Sequence, residues 1–237
     1  MPFGASADDW QQESEVYMLA TTIDDDASVG CIEGAEVFAD FGDILEVLHI
    51  GGIMVHYEAY QEAGWGLVSG YGFLELREDI SGPRGGVSKV KVRQGVFQAD
   101  IMYRAPMPGG NLDHLGGIRW WNNDANVSID PAALQGFTGS SIKEDWVDVF
   151  VDARWTKPIT EKWSYTLRGD VGGFGLAADF TSSVVARFKY EASESVVLDM
   201  QYKGTWVDYE DGDQGKPGYF AYDTVTHGPL LDVIYQF

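Results

Sequence analysis

Apolar and polar residues alternate along most of the second half of the chain. The alternation is clearest in four segments, at residues 145–155, 162–175, 180–190 and 195–206. A period of two is that of a β-strand, in which successive side chains point to opposite faces of the sheet. The pattern therefore predicts strands that each have one apolar and one polar face.

The first half of the chain carries the same alternation in a weaker form. The stretches typical of strands are residues 13–22, 28–38, 50–60, 65–76, 90–103 and 114–121. Residues 41–48, FGDILEVL, predict a short helix or turn between two of these strands. Polar turns separate the strands, with a short tail at residues 1–9 and a long loop predicted at residues 122–145. No linker rich in proline and glycine divides the chain, so we expect one β domain over residues 1–237.

The sequence finishes on an alternating segment, GPLLDVIYQF, whose apolar residues fall on both faces. One face carries Leu231, Val233, Tyr235 and Phe237. Chain ends are normally frayed and polar unless something holds them in place. A terminal strand of this kind therefore needs an apolar environment around the face that carries these four residues.

Periodicity alone leaves two architectures open. A soluble sandwich or lipocalin-type barrel turns its apolar face inward and its polar face to water. A transmembrane β-barrel inverts this arrangement, because its apolar face meets lipid while its polar face lines the interior. Three features favour the second architecture: the aromatic residues, the charged residues and the last strand.

Aromatic residues cluster near the ends of the predicted strands. The cluster comprises Trp65, Trp120, Trp121, Trp146, Trp155, Trp163, Trp206, Tyr190, Tyr209 and Phe237. Amphipathic rings settle at membrane interfaces and form girdles at both edges of a membrane barrel, although tryptophan also begins or ends many soluble strands. The predicted membrane-interface residues are Trp65, Trp120, Trp155, Trp163, Tyr190, Trp206, Tyr235 and Phe237.

Charges of both signs occupy the polar faces of the same strands. The residues predicted to line a lumen are Asp148, Asp152, Arg154, Arg168, Asp170, Arg187, Lys189, Asp199, Lys203 and Asp232. Five are acidic and five are basic, in a chain that has 37 acidic and 16 basic residues. An unpaired buried charge is costly, so this local balance favours pairing inside a narrow barrel. The last segment, which ends at Phe237, adds a third argument, because open sheet edges do not occur in hydrocarbon and the last strand must close against the first.

Composition excludes several classes of function. The net charge of −21 makes nucleic acid an unexpected partner, since phosphate binding needs clustered lysine and arginine. No run approaches the roughly 18 uninterrupted apolar residues of a transmembrane helix. Cys31 is the sole cysteine, which excludes an internal disulfide and a cysteine-based zinc site. The acidic excess lies mainly in turn-like stretches, where solvation is the simpler explanation and binding of divalent cations is the alternative.

Chemistry that would mark an enzyme is weak in this sequence. The four histidines are His49, His56, His114 and His227, and none lies in an H-x-x-x-H or H-E-x-x-H metal motif. There is no G-x-S-x-G nucleophile elbow. We therefore expect no catalytic residue, no bound metal, no cofactor and no enzymatic activity.

Several stretches resemble a family of uncharacterised proteobacterial outer-membrane β-barrels. The most distinctive are RGDVGGFG at residues 168–175 and YDTVTHGP at residues 222–229. The alternating end, with its terminal Phe237, resembles the carboxy-terminal assembly signal of such barrels. The resemblance implies an outer-membrane location in a Gram-negative bacterium, contact with outer-membrane lipid and assembly by the barrel-assembly machinery. It implies no particular activity.

We predict an all-β protein, an antiparallel transmembrane β-barrel of ten to twelve strands. The expected function is that of a narrow passive channel for small hydrophilic solutes or ions, or of a structural membrane component. A barrel that binds a ligand or partner through its loops is the alternative. A lipid-modifying barrel enzyme and a soluble sugar-binding β-sandwich are the remaining hypotheses.

Overall fold

The structure is a computed structural model that describes residues 10–19, 22–29, 32–39, 52–81, 87–128, 140–213 and 219–237. Within these residues the chain forms β-strands joined by turns and loops. The strands are β1 (Trp10–Leu19), β2 (Thr22–Val29), β3 (Ile32–Ala39), β4 (Ile53–Gln61), β5 (Trp65–Ser81), β6 (Val87–Met107), β7 (Gly110–Ser128), β8 (Ser140–Pro158), β9 (Trp163–Gly172), β10 (Phe180–Glu191), β11 (Val196–Asp211) and β12 (Phe220–Gln236). No helix among the described residues has the length and apolar character needed to span a bilayer.

The strands close into an antiparallel barrel. From β4 to β12 each strand pairs with the next one along the chain, and β1 pairs with both β4 and β12. β1 and β2 face β12 in a single register, in which Leu19 lies opposite Leu230 and Thr22 lies opposite His227. The two segments therefore act as the two halves of one wall strand.

β3 and β4 share a second position in the wall in the same way, because β3 pairs with β2 while β4 pairs with β1. The twelve described segments thus occupy ten positions, an even number as expected for a bacterial membrane barrel. The prediction of one strand over residues 28–38 is wrong, because Val29 lies opposite Ile32 and the chain forms a hairpin there. Residues 1–9 and 41–48 lie outside the described residues.

The two ends of the barrel differ in their connections. Residues 62–64, 108–109, 159–162 and 192–195 connect strands at one end, called here the turn end. Residues 82–86, 129–139, 173–179 and 212–219 connect strands at the opposite end, called the loop end. In outer-membrane barrels short turns face the periplasm and longer loops face the outside.

The long loop predicted at residues 122–145 is much shorter in the structure. Residues 122–128 belong to β7 and residues 140–145 belong to β8, where Asn122 lies opposite Asp145. The polar composition of both segments hides the alternation of the strands. Only residues 129–139 remain between the two strands.

On β8 and β12, apolar side chains point outward along most of the strand. On β8, Val147, Val149 and Val151 are exposed, whereas Asp148 and Asp152 are buried. On the last strand the exposed residues are Leu231, Val233, Tyr235 and Phe237, and the buried ones include Leu230, Asp232 and Ile234. A soluble fold would have the opposite arrangement, so the fold is that of a transmembrane barrel and the soluble sandwich is excluded.

Candidate functional site

The residues predicted to line the lumen all point inward. Asp148, Asp152, Arg154, Asp170, Arg187, Asp199 and Asp232 are buried within the barrel. Arg168, Lys189 and Lys203 line internal cavities. The inward faces of the strands therefore form the candidate site.

Only part of the predicted pairing occurs among these residues themselves. Arg168 donates from Nε to Asp152 Oδ2 at 2.6 Å, and Arg187 Nη2 lies 2.7 Å from Asp199 Oδ2. Asp148 has no arginine partner among its described contacts; its carboxylate accepts hydrogen bonds from the Trp146 indole N–H and a loop amide.

A layer of four ion-paired residues crosses the lumen toward the turn end. Arg154 donates to Glu58 at 2.6 Å and to Asp113 at 2.8 Å. Arg104 bonds the same two carboxylates, at 3.2 Å and 2.8 Å respectively. Glu58, Arg104, Asp113 and Arg154 are called here the ion-paired layer. Each carboxylate has two guanidinium partners, which offsets much of the cost of burying the charges.

A second group surrounds Arg187. Its Nη2 lies 2.5 Å from Glu15 Oε1, 2.7 Å from Asp199 Oδ2 and 3.5 Å from Asp232 Oδ2. Gln201 also donates to Asp232. The three carboxylates offer oxygens within 4.8 Å of one another, the arrangement of a cation site. The Arg187 guanidinium contacts all three, so an arginine supplies the positive charge there.

The residues that sequence reasoning missed lie in the first half of the chain. They are Glu15, Glu58, Asp100, Arg104, Asp113 and Arg119. The sequence does contain the pattern that identifies inward positions on β6. Asp100, Met102 and Arg104 alternate there with the exposed Ile101 and Tyr103. Glycines and mixed residues at neighbouring positions obscured that alternation.

Aromatic rings fill the lumen toward the loop end. Trp121, Trp146, Tyr209, Phe220 and Tyr222 are buried together and are called here the aromatic cluster. The Trp146 and Tyr209 rings are stacked, with centroids 3.8 Å apart and planes 6° apart. Tyr209 OH donates to Glu144 at 2.9 Å, which satisfies the polar tip of this ring.

Trp121, Trp146 and Tyr209 are among the aromatic residues near strand ends, but their side chains point into the lumen and not toward lipid. Neighbouring residues of a strand point to opposite faces, so Trp120 is exposed while Trp121 is buried. Proximity to the end of a strand did not distinguish the two tryptophans. Which of the two alternating faces each tryptophan occupies does distinguish them.

The connection between β9 and β10 reaches into the loop end of the lumen. Ala178 is fully buried against the aromatic cluster, and its amide donates to Asp148 at 3.0 Å. The next amide, of Asp179, donates to the Asp208 carbonyl at 3.0 Å. The connection is therefore hydrogen-bonded to both β8 and β11, and it narrows the opening of the lumen at the loop end.

Two cavities of about 150 Å³ each lie in the lumen. The turn-side cavity is lined by Glu58, Arg154 and Lys189, among others. The loop-side cavity lies beneath the aromatic cluster, with Trp121 and Lys203 in its lining. The turn-side cavity is lined mainly by polar atoms, whereas the loop-side cavity has charged groups in a mainly apolar lining. Each is large enough for several water molecules. The two linings share no residue.

The predicted interface aromatics lie on the outward face, where lipid would contact them. At the turn end Trp65 packs on Tyr103 with centroids 5.0 Å apart, and Trp163 packs on Tyr190 at 4.8 Å. The others on this face are Trp120, Trp155, Trp206, Tyr235 and Phe237. Clustered rings at the turn end are typical of a girdle at the membrane surface.

Two solved structures share this fold at low sequence identity. The translocator domain of the autotransporter NalP from Neisseria meningitidis is 10% identical with a TM-score of 0.53, covering 99% of this chain and 90% of that one. The outer-membrane protease OmpT from Escherichia coli is 10% identical with a TM-score of 0.50, covering 96% and 97%. Ail, the attachment invasion locus protein of Yersinia pestis, is 9% identical with a TM-score of 0.44, covering 96% and 97%.

No protein-family model matches the chain, and no curated protein matches it either. The family resemblance drawn from residues 168–175 and 222–229 therefore stays a prediction. The closed barrel, its apolar outer face and the shared fold nevertheless define the class of protein. It is a β-barrel of the bacterial outer membrane with an ion-paired lumen.

Proposed function

We propose that the protein is a narrow passive channel for small ions and hydrophilic solutes, held nearly closed by its own side chains. The observation that carries the proposal is the pair of cavities, each of about 150 Å³ and each with charged side chains in its lining, within one lumen. Side chains can largely fill a barrel of this size. The remaining space suits ions and small solutes rather than large ones.

The ion-paired layer is the proposed constriction between the cavities. Glu58 and Arg154 line the turn-side cavity, whereas Arg168 lines the loop-side cavity. Charged rings of this kind set the selectivity of a pore. A permeating ion would pass by exchanging places with one partner of an ion pair, which keeps conductance low.

Planar-bilayer recording tests the proposal. The double variant Glu58→Ser with Arg154→Ser removes both partners of the 2.6 Å pair, which avoids leaving one charge unpaired. We expect small, discrete conductance from the natural sequence and a several-fold increase from the double variant.

The matched control is Asp124→Ser with Lys143→Ser, which removes a pair at 3.4 Å whose lysine is 75% exposed. This control should leave the conductance unchanged. If the folded natural protein and the folded double variant both fail to conduct, the barrel is a structural component and the channel proposal is wrong.

The protein would act without catalysis. His56 lies within 3.4 Å of Glu15 inside the lumen, and His227 shares a hydrogen bond with Tyr202 OH at 2.9 Å. These contacts support structural roles for both histidines. An assay for lipid or peptide turnover by the purified barrel is expected to show none.

The proposed partners are outer-membrane lipid and the barrel-assembly machinery. Leu231, Val233, Tyr235 and Phe237 form an exposed apolar row on β12, the strand that closes against β1. Such a row supports recognition of the last strand before the barrel closes. Replacing Tyr235 and Phe237 by serine should lower the yield of folded barrel in the outer membrane more than it lowers refolding in detergent.

A further inference from the structure

Lys203 differs from its charged neighbours in the loop-side cavity. Arg119 donates to both oxygens of Asp170, at 3.2 Å and 3.0 Å, and Arg168 is paired with Asp152. Across the part of the chain that the structure describes, Lys203 has no ion pair. Its ammonium group therefore has no carboxylate oxygen within ion-pair distance among the described residues, although Asp170 lines the same cavity.

The neighbours of Lys203 in the barrel wall explain why it has no ion-pair partner among the described residues. Lys203 lies opposite Val185 on β10 and opposite Gly228 on β12. Neither neighbour carries a carboxylate. On the far side of Val185, the next position in the row is Arg168, so a second cation follows instead of an acid.

The cavity lining is locally positive although the chain as a whole is strongly acidic. Arg119, Arg168 and Lys203 line it, together with the carboxylate of Asp170. That carboxylate already accepts bonds from Arg119 and from Ser183 Oγ. Asp100 and Asp152 form ion pairs with Arg168 and so compensate its charge, but neither forms an ion pair with Lys203.

Hydroxyl groups also line the cavity. Thr205, Thr224 and Thr226 face the same space, which has a volume of about 150 Å³. Hydroxyls donate hydrogen bonds to anions, and bonds from a charged donor are stronger than those from a neutral one. The cavity therefore combines an ammonium without an ion-pair partner, a guanidinium and neutral donors, set among apolar side chains such as Val185 and Val207, in a space of suitable size for a small anion.

We propose that the loop-side cavity binds a small oxyanion, of the size and charge of inorganic phosphate, with Lys203 as the main charged donor. The site lies in the lumen of the proposed channel, but it rests on the lining of the cavity and not on conduction. A barrel that binds the anion without conducting would still satisfy this inference.

The test is titration calorimetry of the folded barrel in detergent, with inorganic phosphate added in a buffer free of other oxyanions. We expect the natural sequence to bind one phosphate per chain. Lys203→Met should weaken binding by at least about tenfold, the effect of losing a charged hydrogen bond. Lys203→Arg should retain most of the affinity.

Lys189→Met is the matched control. Lys189 is also a lysine of the lumen, but it lies 3.8 Å from Glu13 and lines the turn-side cavity. This variant should bind phosphate as the natural sequence does. Because phosphate binding stabilises the folded state, phosphate should raise the unfolding temperature of the natural sequence and of Lys189→Met, but not of Lys203→Met.

Two results would overturn the proposal. One is a folded natural protein that binds no phosphate, and the other is a folded Lys203→Met variant that binds it with unchanged affinity. Folding of Lys203→Met is checked by its unfolding temperature without phosphate. This temperature should not fall, since the substitution breaks no described ion pair.

Discussion

Strand β11 has two parts of opposite polarity, and they meet near Trp206. From the turn end to Trp206, apolar residues such as Leu198 and Met200 point outward while Asp199 points inward. Beyond Trp206, Asp208 is exposed and Tyr209 is buried. The same strand thus resembles a membrane barrel in one part and a soluble protein in the other.

The difference follows from the surroundings of the barrel. Where acyl chains cover the wall, the apolar face points outward and the lumen receives the charges. Where the wall rises past the bilayer, the outer face meets water and the lumen can bury rings. The lumen is therefore filled in two ways, by the ion-paired layer toward the turn end and by the aromatic cluster toward the loop end.

Breaking the ion-paired layer should have the largest effect. Arg154→Met removes a buried guanidinium and leaves Glu58 and Asp113 with only Arg104 between them. We expect a loss of about 3–5 kcal/mol in the free energy of unfolding, because carboxylates stay buried without sufficient counter-charge. The fraction of folded barrel in a urea series, read from its heat-modifiable gel migration, measures this loss.

Lys143→Met is the control for that substitution. Lys143 pairs with Asp124 at 3.4 Å but its side chain is 75% exposed. Exposed pairs contribute at most about 1 kcal/mol. Equal losses from the two variants would contradict the view that the layer holds the turn-end half together.

Disrupting the aromatic cluster should come next. Trp121→Ala removes a ring that stacks on Trp146 with centroids 5.7 Å apart, and we expect it to cost about 3 kcal/mol. Trp120→Ala, on the adjacent and outward position, should cost less than half as much. The same urea series compares them. A larger loss from Trp120→Ala would mean that the outer girdle, rather than the cluster, stabilises this end.

The change of polarity along the strands explains which features of the fold and of the site could be predicted from the sequence. Between Trp163 and Val171, strict alternation placed Arg168 and Asp170 on the inward face. The closed barrel and the outward apolar band followed from such segments and from the last strand. The family resemblance supported the same architecture without adding an activity.

Two parts of the site could not be predicted from the sequence: the aromatic cluster and the partners of Arg154. Trp121 and Trp146 lie toward the loop end, where inward positions are apolar, so a rule that puts charged residues inside did not find them. The partners of Arg154 could not be named either, since Glu58 and Asp113 meet it only when three separate strands come together. Such meetings depend on how the barrel closes, which local alternation does not specify.

A charge placed on the outer face should sharpen the boundary between the two parts. Val151 lies on the apolar band of β8 and Ile159 in the turn beyond it, and both are 56% exposed. Arginine on the lipid face costs about 2–4 kcal/mol near the bilayer midplane and about 0–1 near the interface. We expect Val151→Arg to lose about 2 kcal/mol of folding free energy in lipid vesicles, while Ile159→Arg changes little. Similar losses would place the apolar band elsewhere on the wall.

The smallest effect is expected from the acidic surface at the loop end. Asp208 on β11 lies directly opposite Asp223 on β12, and both side chains are exposed. Like charges facing each other across strands are destabilising, so Asp208→Asn should raise the free energy of unfolding by less than about 1 kcal/mol. Asp145→Asn is the control, because Asp145 lies opposite the neutral Asn122. Since salt screens exposed charges, the gain from Asp208→Asn should disappear at about 1 M salt. A gain that persists there would mean that this carboxylate is unfavourable for a reason other than repulsion, and that the loop-end wall is not bathed in water.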